Sequence, residues 1–226
     1  MNKPYIICYM MTSVDGRIDC AMTENLPGVN EYYPLLAELN FDAVVSGRVT
    51  AELEIAENGK FTPLEYLPID TETVSNKADT PKQFEVIVDT KGTLLWKDNK
   101  EYDEHTLIIT SEQVSKEYLK YLDNKGISYI ATGKEKIDLV RASEILKDTF
   151  KIEKLGVVGG PKINTAFLDA GLLDEIIVLI GAGIDGRASY PTVFNSENNN
   201  RPLKTLRLVD AKAYNSGAVL IRYKTN

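Results

Sequence analysis

The sequence predicts an α/β fold built on a mostly parallel central sheet that closes with an antiparallel C-terminal hairpin. Three observations carry this. Seven short, continuously apolar runs rich in strand formers punctuate the chain, the pattern of strands buried on both faces. Segments with apolar residues at helical spacing lie between several of them. The last two apolar runs are joined by Asn215-Ser216-Gly217, a turn signal, and Val219, Ile221 and Tyr223 alternate with Leu220, Arg222 and Lys224.

Taken in order, the first strand is Tyr5–Met11, followed by the loop TSVDGRID (Thr12–Asp19). Glu31–Asn40 is expected to be helical, with Pro34 confined to the first turn, where its missing N–H is harmless. Phe41–Gly47 is the second strand, and SGRVTAE (Ser46–Glu52) turns from it into a helix with Thr50 as cap. Asn58–Lys82 carries three prolines and no period, so it is expected to be a loop, either functional or mobile. Phe84–Asp89 and Thr106–Thr110 are strands. Trp96 between them suits packing, and His105, in a polar run, is expected to be solvated. Ser115 caps a helix carrying Tyr118, Leu119 and Leu122, and Gly126 supplies its left-handed stop. After the strand Ile127–Thr132, Asp138 caps a helix whose stripe is Leu139, Ala142 and Leu146. The strand Lys154–Gly160 leads into a helix with Pro161 in its first turn, Ile163, Phe167 and Ala170 on one side, and Gly171 at its stop. Glu175–Gly181 is the last parallel strand, and Asn195–Pro202 is a polar, exposed loop before the hairpin. With no repeat and no linker, residues 1–226 are expected to form a single domain.

Composition excludes several classes of function. The formal charge of −7, with no block of Lys or Arg, disfavours nucleic acid as a partner. No apolar run approaches the ~18 residues of a membrane helix, and no signal peptide is visible, so a cytoplasmic protein is expected. Two scattered cysteines, Cys8 and Cys20, do not make a disulfide framework, and with a single histidine they do not make a zinc site. GxSxG, HExxH and GxxxxGK[ST] are absent, which removes the usual hydrolase and nucleoside-triphosphatase chemistries.

Three strand-end junctions pair glycine with polar groups: Ser13, Asp15 and Gly16; Gly47, Arg48 and Thr50; and Gly159, Gly160, Pro161 and Lys162. Each has a plain reading as a turn or a capped helix. Together they mark the carboxyl ends of strands, where open α/β sheets bind ligands. Glycines at a helix start let a phosphate approach backbone N–H groups, and an arginine grips phosphate bidentately.

In these motifs the chain resembles the reductase domain of riboflavin biosynthesis, the C-terminal domain of the bifunctional deaminase–reductase in the dihydrofolate-reductase-like superfamily. MTSVDGRID, DAVVSGRVT, VIVDTKGTLLW, LIITS, GVVGGPKINTAFLDAGLLDEIIVLIGAGIDGR and the closing hairpin recur in the family's order from Met11 to Lys224. The resemblance implies a three-layer dihydrofolate-reductase-like fold, NADPH as cofactor and a homodimer. It implies cofactor contacts at Gly47, Arg48, Thr50, Thr110, Ser111, Gly159, Gly160, Pro161 and Lys162. It places the substrate at Ser13, Asp15 and Gly16, with Asp15 as the residue that orients it and Glu31 as the nearest match to the superfamily's helical acid. The implied reaction is hydride transfer to a small heterocycle resembling 5-amino-6-(5-phosphoribosylamino)uracil. Val158 stands where the family pattern carries Glu. The alternatives are a nucleotide-binding protein that keeps the fold without catalysis, or a reductase of an unrelated small metabolite.

Overall fold

The structure is a computed structural model that describes residues 2–79, 83–196, 198 and 200–225. In chain order its elements are β1 (Tyr5–Thr12), α1 (Cys20–Thr23), α2 (Val29–Glu38), β2 (Ala43–Gly47), α3 (Arg48–Glu54), β3 (Thr73–Ser75), β4 (Phe84–Val88) and β5 (His105–Thr110). They continue with α4 (Lys116–Asn124), β6 (Ser128–Ala131), α5 (Leu139–Asp148), β7 (Lys154–Val157), α6 (Pro161–Asp169), β8 (Glu175–Ile180), β9 (Leu206–Ala213) and β10 (Val219–Thr225). Two compact units form, one from Asp42–Leu155 with the N-terminal residues, the other from Tyr5–Phe41 and the chain from Gly156 onward.

In the first unit β2, β4, β5 and β6 run parallel, with Ala43 opposite Phe84, Phe84 opposite His105 and Leu107 opposite Ser128. Their unbroken apolar sequences suit strands covered on both faces. Trp96 lies at the centre of a core with Ile87, Ile108, Tyr118, Leu122 and Ile127. The Trp96 indole N–H donates to the Tyr118 hydroxyl at 2.9 Å, and that hydroxyl donates to the Leu94 carbonyl at 3.0 Å. Helix starts form as the capping residues require: Ser115 accepts from the Tyr118 N–H and Asp138 from the Arg141 N–H.

The expected loop at Asn58–Lys82 is corrected in part. Thr73–Ser75 forms β3, antiparallel to β6, because the open edge of β6 offers hydrogen bonds that a short segment with one apolar residue does not announce. Before β3 the segment is tied down at Phe61 and Ile69. Phe61 packs against the rings of Tyr118 and Tyr121 at 5.0 and 5.1 Å, and the Ile69 N–H donates to the Val114 carbonyl. Residues 80–82 of this loop, and 197 and 199 of the expected loop Asn195–Pro202, lie outside the described residues. Thr50 is not a cap. Gly47 has the extended backbone of the N-cap, so Thr50 falls inside α3. His105 is not solvated: its ring is half-buried between Asn99 and Ser128, at 2.8 Å from each.

In the second unit β1 and β8 are parallel neighbours, in register from Ile7–Glu175 to Thr12–Ile180. The C-terminal hairpin completes this half antiparallel: β10 pairs with β8, and β9 with β10. Glu175, buried at the start of β8, accepts from the Tyr5 hydroxyl at 2.8 Å and the Arg222 guanidinium at 2.7 Å. α2 packs Tyr32 and Leu35 against a cluster of Met11, Leu26, Leu179 and Ala218. This helix begins earlier than expected, at Val29, and Pro34 therefore lies inside it rather than in its first turn. The missing Pro34 N–H removes the one bond that would have gone to the Asn30 carbonyl. The short helix α1, the four residues Cys20–Thr23, carried no sequence signal. β7 stops at Val157, short of the expected Gly160, because Gly159 takes a φ of +130°. Among the described residues no helix is long and apolar enough to cross a membrane.

Candidate active site

The parallel pairing of β1 with β8 sets two loops side by side. Beyond Thr12 the chain turns through Ser13–Arg17, and beyond Ile180 it runs through Gly181–Arg187. The Gly181 N–H donates to the Thr12 carbonyl at 2.8 Å, and the Val14 N–H to the Gly183 carbonyl at 2.8 Å. Each loop carries a hydrophobic-Asp-Gly-Arg turn, Val14–Arg17 and Ile184–Arg187, with its glycine in the left-handed region that this turn requires.

Asp15 is the acceptor at their meeting point. Its Oδ1 accepts from the Ser13 hydroxyl at 2.6 Å and the Asp185 N–H at 3.0 Å, and its Oδ2 from the Gly186 N–H at 3.0 Å. The hydroxyl bond first, then the two backbone donors, pull its pKa down to about 2. Asp15 is therefore an ionised acceptor at neutral pH and has no proton to donate. Ser13 is fully buried, and its Oγ also accepts from the Arg17 N–H. Its hydroxyl shapes the turn and does not face solvent.

Sequence reasoning passed over Arg17. Its Nη1 donates to the Tyr190 carbonyl, while its Nε is buried without a hydrogen-bond partner and lies 3.9 Å from Asp15 Oδ2. A cation directly after Asp-Gly was the available signal. Glu31 lies in the first turn of α2, half-buried, and no hydrogen bond or ion pair among the described residues joins it to Ser13–Arg17.

The glycine junction before α6 leaves open space beside its backbone. Gly159 and Gly160 are joined by a cis peptide bond. Gly160 is the N-cap of α6 and provides no side-chain cap, and Pro161 occupies the first turn. A Cβ built on Gly160 would meet no atom within 4 Å. Backbone φ of −81° at Gly160 would admit any residue, so neither strain nor crowding within the protein accounts for the glycine. Lys162 is exposed on the first turn, and Val158 is half-buried before the glycines. Further along α6, Asn164 is fully buried and its Nδ2 donates to the Val193 carbonyl at 2.8 Å. The Asn195 N–H donates to the Thr165 hydroxyl at 2.9 Å.

In the first unit, Arg48 opens α3 and forms an ion pair with Glu52 one turn on. Thr110 ends β5 and Ser111 follows it, both fully buried, and both hydroxyls donate to the Thr90 carbonyl, at 3.1 and 2.8 Å. Those hydroxyls are committed to the fold, and the Ser111 N–H likewise donates to the Thr90 carbonyl, at 3.2 Å. Among the described residues no group of three or more His, Cys, Asp or Glu side chains could hold a metal ion.

Known proteins share this architecture. The family model of the RibD C-terminal domain matches residues 4–220. The chain is 26% identical over 224 residues to the 2,5-diamino-6-ribosylamino-4(3H)-pyrimidinone 5′-phosphate reductase of Aquifex aeolicus, covering 92% of this chain and 90% of that one. The reductase of the same name from Methanothermobacter thermautotrophicus is 26% identical, with 97% and 96% covered. Among solved structures, a pyrimidine reductase-like protein from Corynebacterium diphtheriae superposes with a TM-score of 0.72 at 18% identity, covering 100% of this chain and 93% of that one. The Saccharomyces cerevisiae riboflavin biosynthesis reductase gives a TM-score of 0.63 at 19% identity, with 100% and 91% covered. The parallel strands with their antiparallel hairpin, the glycine-rich helix start and the extent of these likenesses together place the chain in the RibD C-terminal domain family, as an oxidoreductase of riboflavin biosynthesis with a dihydrofolate-reductase-like fold.

Proposed function

We propose that this chain is an NADPH-dependent reductase of a ribosylated aminopyrimidine 5′-phosphate. The observation that carries the reading is the open space at Gly160, where the α6 helix start has no side-chain cap and the protein itself does not fill the volume beside the glycine. An uncapped helix start with room for backbone approach suits a pyrophosphate. The cofactor, when bound, supplies the hydride, and an electrophilic C=N or C=O carbon of the substrate receives it. Gly159, Gly160, Pro161 and Lys162 would hold the pyrophosphate. Gly47, Arg48, Thr50, Thr110 and Ser111 are assigned to the cofactor by resemblance, with Arg48 as the phosphate partner in exchange for Glu52. At the substrate end Arg17 supplies a fixed positive charge beside the Gly16 turn, suited to an anionic substrate. Asp15, ionised, leaves protonation of the product to another donor, and Glu31 is kept as a candidate.

The match of one family model to residues 4–220 supports reading both units as one functional domain. The edge strand β9, exposed at every residue with Leu206, Leu208 and Val209 in the open, supports a homodimer through the hairpin. Cys20 is exposed at the surface, which suits a reducing cytoplasm.

The test follows absorbance of NADPH with two substrates, the 2,5-diamino-4(3H)-pyrimidinone ribosyl phosphate named for the relatives and the corresponding aminouracil. Oxidation with one of them identifies the substrate. Failure of NADPH to bind at millimolar concentration in a calorimetric titration would overturn the reading.

A further inference from the structure

The segment Gly181–Asn195, which follows β8, crosses the substrate end as a strap with anchors at both ends. Near its start Gly183 O accepts from the Val14 N–H at 2.8 Å. Near its end Pro191 O accepts from the Ile18 N–H at 3.0 Å, and α6 takes Val193 and Asn195 through Asn164 and Thr165. Between these anchors residues 186–190 are exposed and belong to no helix or strand. Across that span the strap is held by the Asp15 carboxylate, on the N–H groups of Asp185 and Gly186, and by Arg187, whose Nη2 reaches Asp19 Oδ2 at 2.8 Å. Successive N–H groups closing on one carboxylate form an anion nest, with Gly186 at a φ of +72°.

We propose that Asp15 is a positioning residue: its carboxylate latches the strap at Asp185–Gly186, and it influences catalysis through the placement of the strap rather than by touching substrate. The inference deepens the reductase reading and rests on it for the catalytic consequence. The occupancy of Asp15 argues for it directly. Both carboxylate oxygens already accept bonds from the protein, and the low pKa of the group follows from those same bonds. The strap carries Ile184, 76% exposed, and the facing turn carries Val14, 61% exposed, so the latch fixes two apolar side chains at the carboxyl ends of neighbouring strands. Such side chains suit the face of a planar heterocycle.

The test compares wild type with Asp15→Asn, which keeps the size of the side chain but sets an amide N–H against one of the two strap donors. A second variant, Ser13→Ala, removes the hydroxyl bond and leaves both strap bonds in place. Readouts are hydrogen exchange at Asp185 and Gly186, tryptic cleavage after Arg187, NADPH affinity, and kcat and KM separately. The latch requires exchange and cleavage in Asp15→Asn to accelerate about tenfold or more, the scale of one lost charge-assisted bond, with Ser13→Ala in between. It requires KM to rise or kcat to fall in the same order while NADPH affinity stays at the wild-type value. Unchanged exchange and cleavage in Asp15→Asn would overturn the latch, whether or not the chain reduces a pyrimidine. A lost turnover with the strap still protected would show direct substrate contact and overturn it as well. An opened strap with unaltered kcat and KM would overturn its role in catalysis. The reductase reading fails separately, by absence of NADPH binding in the wild type.

Discussion

Replacing Gly160 by valine separates a ligand cradle from a plain turn. In the folded protein the substitution is close to neutral. The backbone at Gly160 is extended, at φ −81° and ψ −167°, and no atom lies within 4 Å of the new Cβ. Loss of glycine's freedom in the unfolded chain stabilises by roughly 0.4–1 kcal/mol, valine as a poorer N-cap of α6 costs a similar amount, and the two offset to a shift within about 1 kcal/mol. The valine methyl groups would enter the space assigned to the pyrophosphate, forcing the phosphates off the helix start. Loss of two or more charge-assisted bonds to backbone N–H groups, at roughly 1.5 kcal/mol each, predicts NADPH affinity lower by about 100-fold. The assay pairs a calorimetric NADPH titration with urea denaturation of the same preparation. Gly159→Ala is the contrast. At φ +130° an alanine is strained, so stability falls by about 1–2 kcal/mol even though its Cβ would sit 3.6 Å from the nearest atom, an ordinary contact. Wild-type NADPH affinity in Gly160→Val, with the protein folded, would refute the placement of the cofactor.

Three further outcomes follow from particular contacts. Tyr118→Phe removes the hydroxyl between the Trp96 indole and the Leu94 carbonyl, leaving buried polar groups unpaired, and should lower stability by roughly 1–3 kcal/mol in urea denaturation; an unchanged midpoint would contradict the hydrogen-bond assignment. Burial lowers the His105 pKa, with Asp79 opposing, and Asn99 accepts from the Thr106 N–H and so turns its own amide N–H toward the ring, which suits a neutral imidazole. The unfolded chain therefore takes up the proton first, so this contribution to stability is complete above about pH 6.5 and is lost as pH falls below it toward the folded pKa. Wild type should lose more stability than His105→Gln between pH 7.5 and 5, about those values, and equal losses would dismiss the effect. Leu208→Asp on the exposed β9 should convert a homodimer to monomer in sedimentation analysis, and a dimer that persists would move the interface elsewhere.

Much of the architecture was legible because its causes are local. Unbroken runs such as EIIVLIG need two apolar neighbours wherever they sit, and Ser115, Asp138 and Pro161 satisfy helix starts within a few residues of themselves. Gly126, Gly171 and Gly217 mark stops and turns at positive φ for the same reason. Thr50, Pro34 and the end of β7 were misplaced by a few residues within their own segments, but two readings were overturned by partners outside the segment. Thr73–Ser75 became a strand because β6 had an edge to pair, and His105 left solvent because Asn99 and Ser128 enclose it.

The candidate site divides along the same line. The glycines before α6 and the Asp-Gly turn at Asp15 are visible in the chain, because a turn that needs a left-handed residue shows its glycine. That Asp15 spends its carboxylate on Asp185 and Gly186, 170 and 171 residues away, follows from β1 lying parallel to β8 in register at Thr12 and Ile180. A side chain's type and its local turn are properties of the sequence, while the donors that engage it depend on which strand ends the fold sets beside each other. For Asp15 that difference separates a group free to meet substrate from one already bound to its own strap.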